Sequence, residues 1–325
     1  MLIKRICILG GTGFVGQTLA NRLTQDSYHL RILTRDRESN KDKLILLPGL
    51  ELIEADVHES SHLKEYFSGC DAVINLVGIL NERGRNGSGF HHAHVKLASK
   101  IIDAGVDNRI KRILHMSALN ADAVNGPSYY LKSKGEAEGL IHAAAVHGIR
   151  VTSFRPSVIF GHDDNFFNRF AALLKMTPIF FPLACPYTKF APVFIEDVAE
   201  AIARSIKDPD SYGKRFNLCG PHDYTLQELV CYTAKQLGIR RLVIPLSDIL
   251  SRIQATVFDF VPGKPFSTDN YLSTKVDSIC SHNDLTKLGI EPTALEAVVP
   301  KYLSRQFQRA RYDTFRRQSH RNHLA

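Results

Sequence analysis

The sequence predicts an α/β protein with a doubly wound parallel sheet and a small, discontinuous C-terminal region. Short apolar runs alternate with stretches of helical periodicity through the first half of the chain. Such alternation is typical of right-handed βαβ units, whose parallel sheet is covered by helices on both faces. After Gly161 the alternation loosens into a segment rich in Phe and Pro, which indicates a second structural unit.

The individual elements follow in chain order. Apolar runs predict strands at 4–9, 29–33, 50–55, 72–77, 110–115 and 150–154. Helical spacing predicts helices at 14–25, 62–67, 94–104, 129–147 and 196–206. In the first helix Val15, Leu19 and Leu23 recur at i, i+4 and i+8 and form one apolar face. Gly148 is placed to end the helix that precedes it.

Composition excludes several classes of protein. The chain has 325 residues, of which 44% are hydrophobic and 23% charged, as in an ordinary globular protein. No apolar run reaches the ~18 residues that a membrane span needs. The six cysteines form no C-x-x-C pair and no tight cluster, which predicts neither a disulfide framework nor a zinc site. We therefore expect a reduced, cytoplasmic protein without a bound metal.

The net charge of +8 is concentrated at the C-terminus. The last 26 residues carry seven Lys or Arg and one Asp, so the remainder is nearly neutral and is not expected to bind nucleic acid. An apolar stripe runs through this tail at Val299, Leu303, Phe307 and Ala310. A basic amphipathic helix of this kind can lie on the inner face of an anionic membrane. The alternative is a terminal helix docked on its own domain.

A glycine-rich turn lies between the first strand and the first helix. Its spacing, G-x-x-G-x-x-G, places Gly10 at the tight turn, Gly13 where the backbone approaches a pyrophosphate, and Gly16 where helix and strand pack closely. The free N–H groups at the start of the helix then face the phosphates. This context predicts a Rossmann-type dinucleotide site.

The end of the second strand distinguishes between the two nicotinamide cofactors. Arg35 stands where a guanidinium can grip a 2′-phosphate, which favours NADP(H). The neighbouring Asp36 keeps NAD(H) as the alternative, because a carboxylate here would bind the ribose hydroxyl. Asp56 ends the third strand, where it can either accept from the adenine amino group or cap a turn.

Tyr130 and Lys134 form a candidate catalytic pair. They are spaced i and i+4 and share one helix face. A neighbouring ammonium lowers the pKa of a tyrosine, which makes the tyrosine usable as a general acid or base.

These features resemble the short-chain dehydrogenase/reductase superfamily, on its extended and atypical side. Further stretches narrow the resemblance to the branch that holds the Rossmann-type accessory subunit of respiratory complex I and its bacterial relatives. The matching segments are Gly10–Gly16, Asp56-Val57, Asn75–Gly78, His115–Leu119, Tyr130–Lys134, Arg155–Gly161, Lys189–Val193 and Glu196–Ala199.

The resemblance implies a role for each matching residue. The pyrophosphate would be lined by Gly10, Thr12, Gly13, Phe14, Val15 and Gly16. Arg35 would hold the 2′-phosphate, and Asp56 and Val57 the adenine. The nicotinamide half would be contacted by Val77, Gly78, Tyr130, Lys134, Pro156 and Val158. The catalytic residues would be Tyr130, Lys134 and Ser117.

One departure from the family pattern concerns the substrate-polarising hydroxyl. Active members carry Ser or Thr just after the fifth strand, whereas here Ser117 is followed by Ala118 and Leu119. Ser117 would then point into the fold. Two functions remain: an NADP(H)-dependent oxidoreductase or epimerase-like enzyme, or a non-catalytic NADP(H)-binding accessory protein of a respiratory or quinone-pathway assembly.

Two further patterns leave alternatives open. His91, His92 and His94 are interpreted as a solvated helix start, with a metal site as the minor alternative. The spacing of Phe166, Phe167, Phe170, Leu173 and Leu174 predicts core packing, and the alternative is an apolar wall for a hydrophobic small-molecule substrate.

Together these patterns predict the domain organisation. We expect a dinucleotide-binding domain at 1–160 with a return segment at 190–218. The substrate region comprises 161–189 and 219–300, and the basic tail 301–325.

Overall fold

The computed structural model describes residues 3–44 and 47–304. The strands are β1 (Arg5–Leu9), β2 (His29–Thr34), β3 (Leu50–Glu54), β4 (Ala72–Asn75), β5 (Arg112–Met116), β6 (Arg150–Pro156), β7 (Ile159–Phe160), β8 (Phe180–Leu183), β9 (Lys189–Phe190), β10 (Val193–Phe194), β11 (Arg215–Leu218), β12 (Tyr224–Thr225) and β13 (Leu242–Pro245). The helices are α1 (Phe14–Gln25), α2 (Arg37–Leu44), α3 (Ser60–Phe67), α4 (Ser88–Phe90), α5 (Leu97–Asp107), α6 (Tyr129–Ala143), α7 (Phe167–Met176), α8 (Ile195–Ser205), α9 (Leu226–Gln236), α10 (Asp248–Phe258), α11 (Thr268–Ser273) and α12 (Leu295–Leu303).

Seven parallel strands form the central sheet in the order β11-β6-β5-β4-β1-β2-β3. The predicted doubly wound α/β fold is therefore confirmed. The strand order reverses between β1 and β4, where Leu9 pairs with Asn75. Open α/β sheets bind ligands in the crevice at such a switch point, outside the carboxyl ends of the strands.

Two apolar layers cover the sheet. β1 alternates, so that Ile6 and Ile8 pack against α1 and α8 on one face, while Cys7 and Leu9 pack against α3, α5 and α6 on the other. This alternation follows from the period of two in a strand, and burial on both faces explains why the strands are nearly continuously apolar.

A third apolar cluster forms a second unit beside the sheet. It joins α7, α9 and α12 and buries Phe167, Leu174, Val299 and Leu303. The phenylalanine-rich stretch therefore packs as core, as expected. Val299 and Leu303 are also buried here, so the first half of the predicted membrane-facing stripe is not available to a membrane. Phe307 and Ala310 lie outside the described residues.

The cysteine prediction is wrong for one pair. Cys219, directly after β11, and Cys280 form a disulfide with their Cα atoms 6.1 Å apart. The two cysteines are 61 residues apart in sequence, so no short cysteine spacing could predict the bond. It ties the edge of the central sheet to the segment that precedes α12.

Two features are absent from the described residues. Within 3–44 and 47–304, no helix is long and apolar enough to cross a membrane. In the same ranges, no group of three or more His, Cys, Asp or Glu is arranged to hold a metal ion. His91, His92 and His94 diverge: His92 stacks on His58, with ring centroids 4.3 Å apart, while His94 turns inward.

The candidate nucleotide and catalytic site

The glycine turn leaves the start of α1 open. Gly10 has φ +78°, a conformation that favours glycine. A Cβ on Gly16 would lie 2.4 Å from the Gly10 carbonyl oxygen, so no larger residue fits there. Gly13 is the N-cap of α1, where no side chain accepts from the first N–H groups and the first turn holds no acidic residue. This cradle fits the diphosphate of a dinucleotide, because unpaired N–H groups at a helix start attract an anion.

The two residues after β2 have different surroundings. Arg35 is exposed. The Asp36 carboxylate accepts a hydrogen bond of 2.9 Å from the Ser39 backbone N–H, and this bond lowers the pKa of Asp36. Asp36 therefore caps the start of α2, a role that competes with binding a ribose hydroxyl.

Asp56 and Val57 follow β3. The Asp56 carboxylate accepts from the His58 backbone N–H at 2.9 Å, so its turn-capping role is present in the structure. Val57 is buried in the cluster beneath α3 and α5. Asp56 remains exposed at the same sheet edge as the glycine turn.

Lys134 brings a buried ammonium to the carboxyl ends of β4 and β5. Its Nζ donates to the Met116 carbonyl at 3.0 Å, and a Cβ on Gly78 would lie 3.0 Å from the same Nζ. Burial lowers the pKa of Lys134 to about 8. Gly78 thus lies beside the lysine, and the place of Val77 and Gly78 behind a nicotinamide ribose stays a prediction of the resemblance.

Tyr130 lies one turn before Lys134 on α6. Phe90 and His94 pack edge-on against its ring, with centroids 6.0 and 5.8 Å away. Burial, assisted by the charge of Asp269, raises the pKa of Tyr130 to about 12. The expected lowering of this pKa by Lys134 is therefore absent in the protein alone, and the phenol is protonated at neutral pH.

Ser117 is committed to another partner. Its Oγ donates to Glu138 Oε2 at 2.6 Å, and Glu138 is paired in turn with Arg155 and Arg215. Ala118 and Leu119 are buried and offer no hydroxyl. The arrangement agrees with the expectation that Ser117 points into the fold, and it argues against the catalytic role implied for Ser117 by the resemblance.

Pro156 and Val158 lie at the carboxyl end of β6. The Pro156 carbonyl accepts from Leu119 N at 3.0 Å, and the Val158 carbonyl accepts from Val193 N at 2.9 Å. They are thus held at the same edge of the sheet as Tyr130 and Lys134.

His94 is a site residue that the sequence reasoning missed. The expected solvated helix start is wrong here, because 91–96 form a π-helical turn and His94 is buried. Its Nε2 accepts from Ile79 N at 3.2 Å, and its Nδ1 is 2.8 Å from Ser133 Oγ. Burial, with the charge of Lys134, lowers the pKa of His94 to about 2. The sequence signal for this burial is that His94 lies four residues after Phe90, which is also buried, and so shares its side of the helix.

Known proteins resemble this chain in sequence. A family model described as the NAD dependent epimerase/dehydratase family matches residues 6–219. Alpha subcomplex subunit 9 of mitochondrial NADH dehydrogenase (ubiquinone) 1 from Mus musculus is 28% identical, over 89% of this chain and 77% of its own.

Two solved structures share the fold. A dTDP-glucose 4,6-dehydratase from Streptomyces venezuelae, with NAD and TYD bound, is 17% identical with a TM-score of 0.72, covering 94% of this chain and 97% of its own. An NADPH-dependent quinone oxidoreductase from Escherichia coli, complexed with NADPH, is 20% identical with a TM-score of 0.70, covering 90% and 98%.

Proposed function

The chain belongs to the NAD dependent epimerase/dehydratase family, and we propose that it is an NADP(H)-dependent oxidoreductase or epimerase-like enzyme. One observation carries the proposal: a buried ammonium, Lys134, lies against Gly78 at the carboxyl ends of the central strands. Burying a charge costs free energy unless the charge is hydrogen-bonded or paired, and the Met116 carbonyl is the acceptor that the structure gives Lys134. Tyr130, one turn away, supplies a group that transfers a proton.

The cofactor would lie across the switch point of the sheet. The backbone of Gly10, Thr12, Gly13, Phe14, Val15 and Gly16 would hold the diphosphate, and Tyr130, Lys134, Val77, Gly78, Pro156 and Val158 would surround the nicotinamide half. When bound, such a cofactor supplies or accepts a hydride. Arg35 favours the form with a 2′-phosphate, since Asp36 is engaged as a helix cap.

Tyr130 is proposed as the general acid. With a pKa near 12 it retains its proton at neutral pH. During reduction of a carbonyl its O–H bond would break and the proton would pass to the substrate oxygen, while hydride adds to the carbon. Lys134 would hold the ribose and stabilise the phenolate left behind.

The Tyr130→Phe variant tests this assignment. Turnover should be lost, because the ring remains but no proton can be donated, while NADPH binding should be nearly unchanged. NADPH fluorescence titration measures binding, and absorbance of NADPH in the presence of candidate carbonyl compounds measures turnover. Activity that survives in the variant contradicts the role of Tyr130.

A second candidate function is a non-catalytic NADP(H)-binding accessory protein. The hydrogen bond between Ser117 and Glu138 favours it, because no hydroxyl after β5 is left to polarise a substrate. The relative in Mus musculus is named as a subunit of a respiratory dehydrogenase, so the proposed partner is a respiratory or quinone-pathway assembly.

Stopped-flow oxidation of bound NADPH separates the two candidates. An enzyme oxidises the cofactor when a small hydrophobic carbonyl compound or quinone is added, and it exchanges the product. An accessory protein keeps the cofactor reduced and does not exchange it. We further propose a cytoplasmic location, peripheral to the inner face of the membrane through the basic tail.

A further inference from the structure

His94 reaches inward from a helical turn of unusual geometry. Residues His91–Lys96 form a π-helical turn, which in proteins occurs mostly as a single turn and frequently at functional sites. His94 is 3% exposed, whereas His91 and His92 are exposed. Its imidazole lies against the ring of Tyr130, with the centroids 5.8 Å apart. The reaction proposed for Tyr130 makes no use of this buried imidazole.

The two ring nitrogens of His94 have different partners, and these partners fix the tautomer. Burial lowers the pKa of His94 to about 2, so the ring is neutral. The Ile79 backbone N–H donates to Nε2 at 3.2 Å, and Nε2 therefore carries no proton. In a neutral imidazole the proton is then on Nδ1. Nδ1 donates to Ser133 Oγ, 2.8 Å away, and the Ser133 hydroxyl donates in turn to the Tyr130 carbonyl at 2.9 Å.

This chain of hydrogen bonds joins two elements of the candidate site. Ile79 belongs to the loop that follows β4, and Ser133 lies on α6 next to Lys134. At the adjoining Gly78, an added Cβ would lie 3.0 Å from Lys134 Nζ and 3.7 Å from His94 Nε2. Gly78 is itself exposed. The exposed loop backbone therefore lies close to both the buried ammonium and the buried imidazole.

Side chains also hold the loop on either side of Ile79. The Val77 backbone N–H donates to Asn75 Oδ1 at 3.1 Å, and the Leu80 carbonyl accepts from Asn270 Nδ2 at 3.1 Å. The contact with His94 fastens the middle of this stretch to α6. Imidazole suits the task because it offers an acceptor and a donor on one rigid ring.

We propose that His94 is a positioning residue for the nicotinamide half of the cofactor. As the Nδ1–H tautomer it fastens the backbone at Ile79 to α6, so that Gly78 stays beside Lys134, where both would contact the nicotinamide ribose. Both ring nitrogens are engaged, so His94 acts through the loop and the helix and not as a proton donor to substrate. The inference rests on the proposed function, because it requires a nicotinamide cofactor in the crevice.

Ligand binding by two matched variants tests the proposal. In His94→Gln the amide oxygen can still accept from the Ile79 N–H, whereas in His94→Leu the side chain fills the space without an acceptor. The titration uses whichever of NADPH and NADH the wild type binds more tightly, together with its adenosine fragment, 2′,5′-ADP or ADP. His94→Leu should bind the complete cofactor about 10-fold more weakly, since the Ile79 N–H loses its partner. It should bind the fragment with unchanged affinity, and His94→Gln should retain most of the affinity for both ligands.

The adenosine fragment separates positioning from a merely structural role. A general loss of structure would weaken the binding of cofactor and fragment together. Equal losses for both ligands in His94→Leu, or full affinity for the complete cofactor, overturn the proposal and leave the proposed function standing. His91→Leu, at the exposed histidine of the same turn, is the control and should bind both ligands as the wild type does. A wild type that binds neither cofactor overturns the proposed function, and with it the cofactor role of His94.

The tautomer gives a second readout that requires neither cofactor nor activity. With isotope-labelled histidine, nitrogen NMR distinguishes a protonated ring nitrogen from an unprotonated one, and the signals missing from His94→Gln identify those of His94. At neutral pH we expect a protonated Nδ1 and an unprotonated Nε2. A protonated Nε2 overturns the proposal, because that nitrogen could not accept from the Ile79 N–H. The wild-type spectrum decides this point even if His94→Leu does not fold.

Discussion

At the scale of single residues, the cofactor preference that we propose depends on two neighbouring side chains, Arg35 and Asp36. The Asp36 carboxylate accepts a hydrogen bond from the Ser39 N–H at the start of α2, whereas Arg35 is exposed. Guanidinium and phosphate match each other through paired, charge-assisted hydrogen bonds. The proposed preference for NADP(H) rests on this helix cap, which engages the carboxylate that would otherwise bind a ribose hydroxyl.

The Arg35→Ser variant should bind NADPH about 10-fold to 100-fold more weakly, because a charge-assisted contact is worth roughly 1.5–3 kcal/mol. NADH affinity should change little. Isothermal titration with both cofactors measures the difference. Arg37→Ser, two residues further on, is the matched control, and equal losses in the two variants would argue for general electrostatic attraction instead of a specific contact.

At the scale of an element, the inner side of α6 packs on a polar layer of the sheet. His142 Nε2 is 3.0 Å from Ser153 Oγ, and His115 Nδ1 is 3.2 Å from the Asn75 amide nitrogen. Burial lowers the pKa of His142 to about 4 and that of His115 well below its usual value. With His94, three imidazoles around one helix are neutral in the folded protein.

These histidines should make the protein sensitive to acid. Below their ordinary pKa near 6.5, the unfolded chain takes up protons that the folded chain does not. Stability is therefore complete above about pH 7 and falls with decreasing pH, by about 1.4 kcal/mol per pH unit for each histidine. Urea unfolding at pH values between 6 and 5 measures the slope.

His142→Gln should reduce that slope by about 1.4 kcal/mol per pH unit, since it removes one such histidine. The exposed His162→Gln is the control and should leave the slope as it is. An unaltered slope in His142→Gln would mean that this imidazole is already protonated when folded.

At the scale of the whole molecule, the parts predicted from the sequence are those with local periodicity. The fold class, the superfamily resemblance and α1 (Phe14–Gln25) are confirmed, because glycine spacing and apolar alternation are short-range patterns. The tail beyond 304 lies outside the described residues. The inward turn of His94 and the Cys219–Cys280 bond were not predicted. The first depends on one π-helical turn, and the second on tertiary contact across 61 residues.

The contacts of the site residues also depend on elements that are distant in sequence. Spacing placed Tyr130 and Lys134 on one helix face, but the carbonyl that accepts from Lys134 comes from Met116 on another element. Which hydroxyl is free, and which is held by Glu138, depends on contacts that no local pattern encodes.

The disulfide should contribute measurably to stability. Replacing Cys219 and Cys280 by Ser should lower the free energy of unfolding by about 2–4 kcal/mol, as expected when a loop of this length is opened. Chemical denaturation measures the loss. Cys231→Ser, at an exposed free cysteine, is the control. If the double variant is as stable as the wild type, the bond does not stabilise the fold.

The route of the chain between its two units limits how they can move. After β6 the chain contributes α7 to the second unit, comes back for α8 and β11, and leaves again for α9. The chain then returns to the central cluster at Leu285 and Ile290, beyond the Cys219–Cys280 bridge, and leaves once more for α12. The second unit is thus joined to the central domain by several separate chain connections. The second unit therefore cannot be excised as one continuous fragment, and a variant meant to isolate it would have to join segments that are distant in sequence.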